Sequence, residues 1–178
     1  SLKYNKLTKI NLKLFDKLFT LYSTLDLSNN QIKIIYSTSS LKNLIQHLNL
    51  ANNLLGEFNS LLKYFENLEY LNTSSNLIKN FKFNEDVQII KNLDLSNNKI
   101  EFISWNQRLI DIDYLRLNLL YLKNTSSVLI NFLNIDLLHL TEKLDLSNNK
   151  INMSFFEKIR LGKIENLYDI NFSNIGLN

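Results

Sequence analysis

The chain has 178 residues, 3 glycines, no proline, no cysteine and a formal net charge of +3. That charge is too small to imply a nucleic-acid partner, and the absence of cysteine excludes a disulfide framework or a thiolate metal site. The length suits one domain with its own core; with so little Gly and Pro, the turns fall to asparagine, which tolerates left-handed backbone and bonds its own main chain.

Read in chain order, one pattern recurs: L-x-x-L-x-L-x-x-N-x-L. SLKYNKL at 1–7 carries its second half, with Leu2, Asn5 and Leu7 in register. Full units follow: YSTLDLSNNQI at 22–32, IQHLNLANNLL at 45–55, LEYLNTSSNLI at 68–78, IKNLDLSNNKI at 90–100, IDYLRLNLLYL at 112–122, TEKLDLSNNKI at 141–151 and LYDINFSNIGL at 167–177. The Asn position is filled by Asn5, Asn30, Asn53, Asn76, Asn98 and Asn149, and by Leu120 and Ile175 in two units. Successive steps are 25, 23, 23, 22, 22, 29 and 26 residues. Each L-x-L is expected to be a short strand with both leucines inward, because side chains alternate across a strand. Parallel stacking of the units buries what no single unit can. Apolar residues on the return, Ile32 and Ile35, Leu55 and Phe58, Ile100 and Ile103, point to the same core.

This pattern resembles the leucine-rich repeat family over essentially the whole chain. FENL at 65–68 and the variable returns resemble the extracellular animal type found in Toll-like receptors and invertebrate immune proteins. The resemblance implies an α/β solenoid: a horseshoe with a parallel β-sheet on the concave face and irregular or short helical convex returns. It also implies a structural ladder of Asn5, Asn30, Asn53, Asn76, Asn98 and Asn149. Residues 1–178 read as a single array of about seven to eight units, both ends cutting through a repeat, within a larger protein. Leu120 cannot bridge turns as Asn does, so the ladder is expected to lapse there, with a longer, helical return over 118–140.

The exposed strand positions fall into rows. Those on either side of the first strand leucine are mostly Asp, Asn and Thr, and the row after the second leucine is mostly Ser; all three rows read as a solvated face. The departures are His47, Tyr70, Tyr114 and Arg116. Tyr and Arg dominate interface hot spots because they bury area and still hydrogen-bond. The expected partner-binding patch is His47, Tyr70, Asn72, Asn92, Asp94, Tyr114 and Arg116. This face is acidic (Asp26, Glu69, Asp94, Asp113, Glu142, Asp145 and Asp169 against Lys3, Lys91, Arg116 and Lys143), whereas lysines line the edge past the Asn turn.

No catalytic constellation is legible. There are two histidines, His47 and His139, and no Gly-rich phosphate loop, metal spacing or nucleophile motif. The reading is therefore a non-catalytic recognition module without cofactor, part of an extracellular or cell-surface receptor or a secreted immune factor. A protein or peptide ligand on the concave face is expected, with homo- or heterodimerisation, no nucleic acid and no membrane contact from this segment. The alternative is a cytoplasmic scaffold or adaptor of the phosphatase-regulator kind. The sequons at Asn72, Asn124, Asn152 and Asn171 do not decide between them, since an Asn- and Ser-rich chain produces about that many by chance.

Overall fold

A computed structural model describes residues 1–15, 24–37, 45–58, 62, 65, 68–82, 90–100, 102–104, 142–148, 166 and 168–174. Its strands, each three residues long, are β1 (Lys9–Asn11), β2 (Thr24–Asp26), β3 (Ile34–Tyr36), β4 (His47–Asn49), β5 (Tyr70–Asn72), β6 (Asn80–Lys82), β7 (Asn92–Asp94), β8 (Phe102–Ser104), β9 (Lys143–Asp145) and β10 (Asp169–Asn171). The L-x-L segments form a four-stranded parallel sheet in the order β2-β4-β5-β7, with β9 and β10 paired likewise in a sheet of two.

Register follows the repeat. Leu25 pairs with Leu48, Leu48 with Leu71 and Leu71 with Leu93. All four are buried, together with Leu27, Leu50 and Leu95 two residues further along. A second buried layer comes from Ile32, Leu55, Ile78 and Ile100 past the turn, and a third from Ile10, Ile35, Phe58 and Phe81 on the return. Phe58 and Phe81 stack nearly parallel, with centroids 6.1 Å apart. In LEYLNTSSNLI the second leucine is replaced by Thr73, which is fully buried, and its hydroxyl reaches the Asp94 carbonyl only at 3.5 Å.

The turn after each strand shows why the unit is spelled S-N-N. Its first Asn takes positive φ: Asn29, Asn52, Asn97, Asn148 and Asn174 lie between 54° and 57°. Asparagine is the side-chain-bearing residue that visits this region most readily. Ser75 and Tyr4 hold the equivalent places at φ 54° and 58°, where their side chains are less well suited to left-handed backbone.

The second Asn turns inward. Asn76 is 4% exposed; its Oδ1 accepts the Leu55 N–H, and its Nδ2 donates to the Leu50, Thr73 and Ser74 carbonyls. Asn53 does the same with Ile32, Leu27, Leu50 and Ala51. Asn98 bonds Ile78, Thr73, Leu95 and Ser96. Asn30 bonds Leu7, Leu2, Leu27 and Ser28. Each amide thus satisfies backbone groups of two adjacent turns that burial would otherwise strand. Asn5 is exposed and donates only within its own turn, to the Leu2 and Lys3 carbonyls. Asn149, Leu120 and the 118–140 return lie outside the described residues.

On the convex side the described returns carry strand as well as 3-10 structure. After the turn, β1 pairs with β3 and β6 with β8, each in parallel, and Leu12–Phe15 forms a 3-10 turn. In the intervening repeat the equivalent place opens with Glu57 and Phe58, neither of which is in a strand, and Glu is a poor strand former. Phe58 still enters the core, in the position held by Ile10, Ile35 and Phe81.

Candidate partner-binding face

The outward residues of the four-stranded sheet form two aligned rows. Thr24, His47, Tyr70 and Asn92 pair in register across β2, β4, β5 and β7, and so do Asp26, Asn49, Asn72 and Asp94. His47, Tyr70, Asn72, Asn92 and Asp94 are therefore brought together. Tyr114, Arg116 and His139 lie outside the described residues.

The second row has a structural duty that sequence reading missed. The Oδ1 of Asp26, Asn49, Asn72, Asp94, Asp145 and Asn171 each accepts the N–H two residues on, at 2.8–3.1 Å. This is an Asx-turn, which bends the chain out of the strand and into the Asn turn. The signal was visible as Asp or Asn at one register position, but it reads as ordinary surface polarity. The following row also needs correction: Ser28 and Ala51 are buried, at 2% and 8% exposure, rather than solvated. They sit where the turns of adjacent repeats are joined by backbone hydrogen bonds: the Ser28 carbonyl accepts from the Tyr4 N–H and the Ala51 carbonyl from the Asn29 N–H.

Above this frame, His47 and Tyr70 stack, with ring centroids 5.9 Å apart and planes 20° from parallel. Register explains the pair: neighbouring parallel strands are about 4.8 Å apart, so side chains at one position meet ring to ring. Beside it lies an open depression of about 190 Å³, lined by Thr24, Asp26, His47, Asn49 and Tyr70. Thr24, Asp26 and Asn49 stand in the aligned rows, but their sequence does not single them out. They join the candidate patch by lining the same depression as the two large rings.

Charge on this face is unevenly compensated. Lys91 Nζ sits 2.5 Å from Glu69 Oε2, and Lys143 Nζ 3.9 Å from Asp169 Oδ2. Asp145 Oδ2 accepts from Asn171 Nδ2. Asp26 and Asp94 spend one oxygen on the Asx-turn, and among the described residues the other has no donor. Among the described residues no group of three His, Asp or Glu side chains gathers to hold a metal ion, and no helix is long and apolar enough to cross a membrane.

No family model matches the sequence, and no curated protein matches it. Solved structures do match. The crystal structure of the LRIM1/APL1C complex superposes with a TM-score of 0.66 at 22% identity, covering 97% of this chain and 29% of that one. The APL1 leucine-rich repeat domain superposes with a TM-score of 0.65 at 22% identity, covering 96% of this chain and 41% of that one. This chain therefore spans less than half the length of either. Parallel strands, Asn-bearing turns and this superposition together make the fold the leucine-rich repeat solenoid.

Proposed function

We propose that this chain is a non-catalytic recognition module that binds a protein or peptide on its concave sheet, within an extracellular or cell-surface protein. The observation that carries the reading is the stacked His47–Tyr70 pair. On the four-stranded sheet the two large rings stand among short polar side chains, beside an open depression. Aromatic residues half-exposed on a rigid sheet are the usual anchors of protein interfaces. The fold supports the choice of face, since repeat solenoids present such surfaces to their partners. One structural neighbour is itself a two-protein complex, which supports a protein partner and a heterodimeric assembly.

Two measurements test the proposal. A photo-crosslinking residue at Asn49 should capture one defined protein from extracellular fluid, and the same residue at the exposed Glu57 on the return should not; equal capture from both positions defeats the concave-face reading. Expression in a secretory cell should add glycan mass at the sequons of Asn124 and Asn152, and an unmodified product would favour the cytoplasmic scaffold.

A further inference from the structure

The depression has a chemical preference, which rests on the concave-face reading above. It is lined by the polar, uncharged Thr24 and Asn49, by the stacked rings of His47 and Tyr70, and by Asp26, whose register partner is Asn49 and which lies diagonal to His47. The Asp26 Oδ1 accepts the Ser28 N–H at 2.9 Å, which holds the carboxylate in place and, among the described residues, leaves Oδ2 without a donor. On a parallel sheet the Cα positions of Asp26 and His47 are one strand and two residues apart, about 8 Å on the diagonal. A planar cation that lies on a ring while its edge donates to a carboxylate spans such a gap.

We propose that this depression receives the guanidinium of an arginine side chain supplied by the partner. The group stacks on the face of His47 turned toward β2, the other face of that ring being packed on Tyr70, and donates to Asp26 Oδ2. Arginine fits better than lysine because its planar fork can stack and donate at once, whereas an ammonium is a compact, strongly hydrated point charge. Charge agrees: Asp26 and Asp94 carry the free carboxylate oxygens of the four-stranded sheet, while its Lys91 is already placed on Glu69.

The register supplies a clean variant. Asn49, Asn72 and Asn171 make the same Asx-turn as Asp26, so Asp26→Asn removes the charge and keeps the turn. The test is an NMR titration of the isotopically labelled chain with Nα-acetyl-arginine methylamide and with its neutral citrulline counterpart. Saturable shifts should centre on Thr24, Asp26, His47, Asn49 and Tyr70, and citrulline should bind roughly tenfold more weakly. Asp26→Asn should abolish the preference for arginine, whereas Asp94→Asn, outside the depression, should leave it within about twofold. The proposal is overturned if citrulline binds equally, if a lysine derivative binds as well as arginine, or if Asp94→Asn and Asp26→Asn weaken binding alike. Crosslinking from Asn49 in the presence of such a failure would keep the concave face and discard only the arginine.

Discussion

Asn72 and Asn76 lie four residues apart in one repeat, and the protein uses them in opposite ways. Asn76 is buried; its amide oxygen accepts one backbone N–H and its amide nitrogen donates to three carbonyls. Asn72 is half-buried on the sheet, and only its oxygen is tied to the backbone, through the Ser74 N–H at 2.9 Å. The turn needs acceptor and donor in one side chain, a demand that only Asn meets at this length. The Asx-turn needs an acceptor alone, so Asp and Asn interchange along that row, as Asp26, Asn49, Asn72 and Asp94 do. Inner and outer rows thus differ in how much chemistry the backbone claims. What the outer row leaves unclaimed is free for a partner.

The sharpest way to break this contrast is to make the same substitution at both sites. Asn76→Asp puts a carboxylate among carbonyl oxygens with no donor for them, and should cost about 4 kcal/mol in urea unfolding. A cost as small as that of a surface change would show that the ladder is ornamental. Leu71→Ala removes a fully buried side chain between β4 and β7 and should cost about 3 kcal/mol. Ser75→Gly tests the turn backbone without touching the ladder. At φ 54° glycine carries no Cβ penalty, and the variant should gain about 0.5–1 kcal/mol in thermal or chemical unfolding. Asn72→Asp keeps the acceptor and should change stability by less than about 0.5 kcal/mol. A large loss there would mean that the Nδ2 group, 3.5 Å from the Tyr70 hydroxyl, carries more than the geometry suggests.

Much of the scaffold is legible in the sequence because its rules are local. Alternation puts Leu25, Leu48, Leu71 and Leu93 inward. Spacing of 22–25 residues between turns aligns one strand on the next. The Asx-turns were legible too, yet were misread as solvation because an exposed Asp looks the same whether or not its oxygen holds a backbone N–H. The return strands were not legible as strands. KIN, IIY, NFK and FIS share only a central apolar residue, and KIN pairs with IIY and NFK with FIS because the preceding turns deliver them side by side.

The period, the inward leucines, the strand register and the division into an inner and an outer row can all be read from the order of the residues. These follow from backbone geometry and from polar groups that cannot be buried unpaired. Which outer residues gather into the candidate site depends on how the repeats stack. Thr24, Asp26, His47, Asn49 and Tyr70 come from three repeats, roughly 23 residues apart in the chain, and stand together because parallel strands bring them within about 4.8 Å steps. No single repeat contains both the ring pair and the carboxylate, so the chemistry exists only between repeats.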